Sequence, residues 1–120
     1  MRKVNYKGRC TKRKLSKCKE VCRTYDEIQM KVADMLQTND DIKAFRCNVC
    51  LEGVENNQYM SDFVAEKSDG TTMVRECVWR KNLSNPLTAH VLDVSRNYWL
   101  SKGVEDWGIV IEKEASDESK

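Results

Sequence analysis

The stretch Tyr59-Met-Ser-Asp62-Phe-Val-Ala-Glu66-Lys-Ser-Asp69-Gly70-Thr-Thr72-Met-Val-Arg-Glu76-Cys-Val-Trp-Arg80 decides how this chain is read. Two runs that read as strands, Tyr59–Glu66 and Thr72–Arg80, flank the turn Ser68-Asp69-Gly70-Thr71. Asp-Gly between two such runs is a strong hairpin signal. A hairpin centred on Asp69 sets Asp62 opposite Glu76, equally far on either side of the turn. Two carboxylates facing each other across neighbouring strands destabilise the pair unless something neutralises them. A divalent cation held by hard oxygen ligands is the simplest neutraliser. The hairpin therefore points to a metal site.

Outward from the hairpin, the chain supplies a helix and a strand on one side and a helix and a strand on the other. Arg23-Thr24-Tyr-Asp-Glu27 reads as a helix start, with Thr24 as N-cap and Glu27 completing a capping box. Ile28, Val32, Met35 and Leu36 follow at helical spacing. Ile42 to Leu51 reads as a strand, and Glu52 to Gln58 as a polar connection. After the hairpin, Pro86 suits a helix start, and the helix is expected over Leu87–Ser101, with Val91, Leu92, Tyr98 and Trp99 as apolar positions. Gly103 suits its C-terminal cap. Trp107-Gly-Ile-Val-Ile111 reads as a buried strand. A strand that returns after a crossover helix should lie parallel to a neighbour. The expectation is one small α/β sandwich with a mixed sheet, since 120 residues suit a single domain.

Charge is segregated along the chain. Met1 to Arg23 carries ten Lys/Arg against one acid, Glu20, whereas Glu112 to Lys120 carries four acids and two lysines. Three regions follow: a basic arm over 1–22, a folded domain over 23–112 and an acidic tail over 113–120. A basic arm points to a polyanion, most simply nucleic acid; a solvated arm that aids solubility is the plainer alternative. The N-terminus has no apolar segment behind its basic residues, and no run is long enough to cross a membrane. An intracellular, cytoplasmic protein with no membrane contact is expected.

Six cysteines, Cys10, Cys18, Cys22, Cys47, Cys50 and Cys77, could form a disulfide framework only in a secretory context, which the sequence does not suggest. Cys18-Lys-Glu-Val-Cys22 and Cys47-Asn-Val-Cys50 could instead be two halves of a Zn²⁺ site. Residues three apart on a strand point to opposite faces, so reduced, partly buried thiols are favoured over zinc.

The element order and the motifs together resemble the restriction-endonuclease-like nucleases, the PD-(D/E)xK group, and most closely the N-terminal catalytic domain of TnsA-type transposon endonucleases. The resemblance rests on Thr24-Tyr-Asp-Glu27, Ile42-Lys-Ala-Phe45, Tyr59-Met-Ser-Asp62-Phe63, Val74-Arg-Glu76-Cys-Val78, Arg96-Asn-Tyr98-Trp99-Leu-Ser-Lys-Gly103 and Trp107-Gly-Ile-Val-Ile111. It covers roughly Arg23 to Glu112, and its most specific part is the Arg-x-Tyr-Trp helix before the Trp strand. It implies an αβββαβ core with a mixed sheet flanked by helices. It also implies a Mg²⁺- or Mn²⁺-dependent DNA endonuclease, a phosphodiester hydrolase that cuts a strand at mobile-element ends during transposition or recombination. Asp62 and Glu76 would ligate the metal with the Cys77 carbonyl as a further ligand, and Glu27 would add a carboxylate from the first helix. A transposase subunit and an ATPase regulator would be partners besides DNA, and a homodimer is compatible with it.

Each residue also has a plainer role. Helix capping explains Glu27 and is weighed ahead of catalysis; Asp62 could be a strand-end acid and Glu76 a solvated edge residue. The lone His90 reads as structural or exposed, and Trp79, Trp99 and Trp107 read as core or interface aromatics. One departure from the family pattern matters. The lysine expected two residues after Glu76 is Val78, which can neither orient water nor stabilise negative charge. Arg80 shares the face of Glu76 and Val78 if the strand continues, and is the candidate replacement cation, although it stays protonated. The alternative function is a catalytically impaired nuclease fold that binds DNA or a protein.

Overall fold

A computed structural model describes residues 9–55 and 58–112, together with the backbone of Arg2–Lys3. The acidic tail lies outside the described residues. In chain order the elements are β1 (Arg2–Lys3), β2 (Thr11–Arg13), β3 (Cys22–Thr24), α1 (Glu27–Thr38), β4 (Ile42–Cys50), β5 (Tyr59–Lys67), β6 (Thr72–Trp79), α2 (Pro86–Ser101) and β7 (Asp106–Glu112). A 3₁₀ turn, Arg80–Asn82, follows β6. β4, β5 and β6 form an antiparallel meander, and β7 lies parallel to β6. β1 pairs with β5 at Met60 and Tyr59. The fold is mixed α/β.

The hairpin register is the one its turn sequence dictates. Phe63 pairs with Arg75, Val64 with Val74, Ala65 with Met73 and Glu66 with Thr72. Gly70 takes φ +89, and Asp69 Oδ1 accepts from the Thr71 backbone N–H at 2.9 Å and its hydroxyl at 2.6 Å. This Asx-type closure fixes the loop.

The helices cover opposite faces of the sheet. Ile28, Val32, Ala33 and Leu36 of α1 pack with Phe45, Phe63, Ala65 and Met73. Phe45 and Phe63 are fully buried with tilted rings 6.2 Å apart, and burial of each side chain contributes about 1.5–3 kcal/mol. Trp99 of α2, with partly buried Val91, Val94 and Tyr98, packs with Leu51, Tyr59, Val74 and Val104 on the other face. Asn85 caps α2 by accepting from Leu87 N–H, with Pro86 at the first turn. Gly103, at φ +84, ends it, and Val104 N–H reaches back to the Trp99 carbonyl at 2.9 Å.

Four expectations change. The α1 cap is Asp26, whose Oδ1 accepts from Gln29 N–H at 2.9 Å, while Thr24 is the buried last residue of β3. Met35 is 46 % exposed and lies off the buried stripe, where Gln29 and Ala33 sit instead. β7 is the sheet edge beyond β6, and Ile109 and Ile111 are exposed there rather than buried. Residues 11–24 do not stand apart as an arm. β2 and β3 pair with each other, Phe45 N–H donates to the Lys17 carbonyl at 2.8 Å, and Cys18 and Cys22 enter the α1-side core. The Lys17–Lys19 segment thereby covers the free edge of β4, an edge that would otherwise invite pairing with another chain.

Candidate metal and catalytic site

Strands β4 and β5 both change face at one cross-strand position. Side chains alternate along a strand, so Phe45, Cys47, Val49 and Leu51 should share a face, as should Tyr59, Ser61, Phe63 and Ala65. Instead Phe45, Cys47, Phe63 and Ala65 pack on the α1 side, while Val49, Leu51 and Tyr59 pack on the α2 side. The pairings Cys47–Phe63 and Val49–Ser61 bracket the switch, which places Asn48 across from Asp62. Asn48 takes φ +55, a left-handed conformation that asparagine tolerates better than most residues.

The switch opens a seam between β5 and β6. Their ladder ends at Phe63–Arg75, and beyond it the two carboxylates take over the backbone donors. Cys77 N–H donates to Asp62 Oδ2 at 2.7 Å, and Asp62 N–H donates to Glu76 Oε1 at 2.7 Å. Gln29 reaches in from α1, donating from Nε2 to Asp62 Oδ1 at 2.6 Å and accepting from Tyr25 N–H at 2.7 Å. Asp62 is 1 % exposed and Glu76 0 %. Both carboxylates are thus interior groups, which rules out the strand-end and solvated-edge roles.

Glu76 is held from the α2 side by two hydroxyls and two indoles. Ser61 Oγ donates to Glu76 Oε2 at 2.7 Å, and the Ser95 hydroxyl donates to the same oxygen. Behind them, Trp99 Nε1–H donates to Ser61 Oγ at 2.8 Å, and Trp107 Nε1–H donates to Ser95 Oγ at 3.0 Å. Ser95 and Trp99 are four apart on α2 and its only buried residues, so one stripe of the helix faces the seam. Burial pushes the Glu76 carboxyl up to about 7, the Asp62 charge acts in the same direction, and the Ser95 hydrogen bond opposes. Burial, and then the Asp62 charge, also raises the Cys77 thiol.

The other expected site residues fall elsewhere. Glu27 is exposed at the first turn of α1. The side chain that reaches Asp62 from α1 belongs to Gln29, because the cap lies two residues later than Thr24. Arg80 is exposed in the 3₁₀ turn and does not continue the face of Glu76 and Val78, since β6 ends at Trp79. Val78 is buried. Lys67 and Arg75 both pair with Asp106, whose carboxyl they hold below its usual range. Gly108 leaves room for the Arg75 guanidinium, which an added Cβ would meet at 3.3 Å. His90 is exposed against Glu55 at 2.9 Å.

A second cluster lies at the sheet edge. The Sγ atoms of Cys18, Cys22 and Cys47 all lie within 4.8 Å of one another. Cys18 comes from the segment that covers β4, Cys22 from β3 and Cys47 from β4. Cys50, the last residue of β4, is not part of the cluster. A hydrogen bond from the Cys22 thiol holds Cys47 down at about 6 against the opposing effect of burial, and that bond in turn raises Cys22.

The sequence alone does not mark Gln29, Ser61 and Ser95 as site residues. The signals were an Asp26-x-x-Gln29 capping pair offset from the Thr24-x-x-Glu27 one, and a serine four residues before Trp99 on the helix. Among the described residues no helix is long and apolar enough to cross a membrane. No protein-family model matches the chain, and no curated protein matches it.

Proposed function

We propose that the chain is a metal-dependent DNA endonuclease of restriction-endonuclease-like architecture, with Asp62 and Glu76 as its metal-binding carboxylates. One observation carries the proposal: two buried carboxylates share an opened seam in the middle of a sheet, joined through the Asp62 N–H. The α1-β4-β5-β6-α2-β7 order supports it. The donor set suits Mg²⁺ or Mn²⁺, being hard carboxylate oxygens beside the backbone of Cys77.

A bound divalent cation would supply an activated water and offset charge on the phosphate whose P–O bond is cleaved. The protein's part is positional. Gln29 and Cys77 N–H fix the Asp62 carboxylate, and Ser61 and Ser95, steadied by Trp99 and Trp107, fix that of Glu76. The exposed bases Arg9, Lys12 and Lys14 beside the folded domain suit DNA phosphates. The TnsA-like role at mobile-element ends, with transposase and ATPase partners, is the specific form of this proposal.

A second reading has its own support. Val78 is buried where the family lysine would stand, Arg80 lies outside the seam, and Lys67 is engaged by Asp106. A nuclease fold that binds DNA without cutting it would look like this. Nicking of supercoiled plasmid in Mg²⁺ or Mn²⁺ separates the readings. The first predicts nicking by wild type and a loss on the order of 10²-fold or more in Asp62→Asn. Equal nicking by both proteins contradicts it. Nicking that appears only in Val78→Lys moves the assignment to the second reading.

A further inference from the structure

We propose that Cys18, Cys22 and Cys47 form a Zn²⁺ site that fastens the N-terminal segment to the edge of the sheet. The site is independent of the Asp62/Glu76 seam and of the function assigned to it. Zn²⁺ prefers thiolates in a tetrahedral arrangement, and a Zn–S distance of about 2.3 Å sets the sulfurs about 3.8 Å apart. The three Sγ atoms, all within 4.8 Å of one another, already converge on such a centre.

Cys47 is the thiol whose surroundings suit a thiolate. Arg23 N–H donates to Cys47 Sγ at 3.3 Å. Backbone donors aimed at sulfur favour the charged form, which is the form that ligates metal. Cys18 and Cys22 are 8 % and 0 % exposed, inside the α1-side core. A dry structural disulfide would join two of the three and leave the third unexplained.

Three sulfurs leave one of the four positions to a water or other small ligand. Cys47 also lines an open cleft of about 680 Å³, with Glu20, Arg46 and Asn48, from which such a ligand can approach. The segments tied together are those that cover β4 and lead into α1. Cys22 opens β3, which runs to the Asp26 cap and to Gln29. Metal binding here would therefore be part of folding.

The test uses the full chain, purified under reducing conditions with Zn²⁺ and then freed of loose metal. Native mass spectrometry should show one Zn²⁺ per chain. Chelation should lower Tm by about 10 °C. Cys47→Ser should lose the metal, whereas Cys10→Ser and Cys50→Ser should keep it. Should Cys47→Ser fail to fold, Co²⁺ replacement in the unaltered chain gives the same answer, through thiolate-to-cobalt charge-transfer absorption and a tetrahedral visible spectrum. A folded chain with less than a tenth of an equivalent of Zn²⁺, no cobalt spectrum and freely alkylated Cys18, Cys22 and Cys47 overturns the proposal. So does loss of zinc in Cys50→Ser, or a Cys22–Cys47 disulfide in the unreduced protein.

Discussion

The carboxylate seam and the thiol cluster are built in opposite ways. The seam lies in the middle of the sheet, and side-chain oxygens replace ladder acceptors that β5 and β6 give up. Its hydrogen bonds come from α1, β5, β6 and α2 at once. The cluster lies at the free edge of β4, where covalently distant segments bring sulfurs together with few backbone donors. Oxygen ligands in a dense network suit a hard cation, and soft sulfurs in an apolar core suit zinc. On these two proposals, one sheet carries two centres that need not compete for the same ion.

The sharpest way to break this separation is to remove a support common to both. The Phe45 side chain packs with Phe63 beneath the seam and shares one buried cluster with Cys18 and Cys22 of the thiol side. Phe45→Ala should cost about 3–5 kcal/mol of stability, measured by urea unfolding, and should weaken metal binding at both centres. Loss at one centre alone would mean that Phe45 is not shared support.

Gln29→Ala acts on the seam only. It removes an acceptor of the Tyr25 N–H and the donor to Asp62 Oδ1. A cost of about 2–4 kcal/mol follows, with zinc content unchanged. Glu27→Ala is the control: exposed and outside the seam, it should change stability by less than about 0.5 kcal/mol. If the two variants behave alike, Gln29 does not hold Asp62.

The seam should also answer to pH. The Glu76 carboxyl stands at about 7 in the folded chain against an ordinary 4.5, so between those values the folded state holds a proton that the unfolded state has released. Its contribution to the stability of the metal-free chain is present below about 4.5 and is lost as pH rises to about 7. Urea midpoints across that window should show a downward component with pH that Glu76→Gln removes. An unchanged slope in the variant would assign the effect to other groups.

The smallest effect concerns the helix start. Asp26→Ala should cost about 1 kcal/mol, because the Gln29 N–H loses its side-chain acceptor. A larger loss, accompanied by a change at Asp62, would show that the cap and the seam are one unit.

Much of this was legible in the sequence, for identifiable reasons. Asp69-Gly70 fixed a turn with one register, so Asp62 and Glu76 could be set opposite each other before any coordinates. Pro86 and Gly103 bounded α2 because each suits a single end of a helix. Glu27 was misplaced because Thr24-x-x-Glu27 and Asp26-x-x-Gln29 both satisfy the capping pattern, and only β3 pairing consumes Thr24. Arg80 was misplaced because alternation cannot announce where a strand stops. The face switch at Asn48 and Asp62 was not readable, since it depends on two strands bending together. Nor was the Cys18–Cys22–Cys47 grouping, because the segment carrying Cys18 docks on β4 through backbone bonds that any sequence could make.

The most direct test of the central claim is Mn²⁺ binding to the metal-washed full chain, read by loss of the free-ion electron paramagnetic resonance signal at pH 8 and pH 6. The account predicts one bound Mn²⁺ per chain at pH 8 and weaker binding at pH 6, where Glu76 holds its proton. It predicts no binding in Asp62→Asn and unchanged binding in Cys47→Ser. A wild-type chain that leaves Mn²⁺ free at pH 8, or an Asp62→Asn chain that binds as well as wild type, would contradict it.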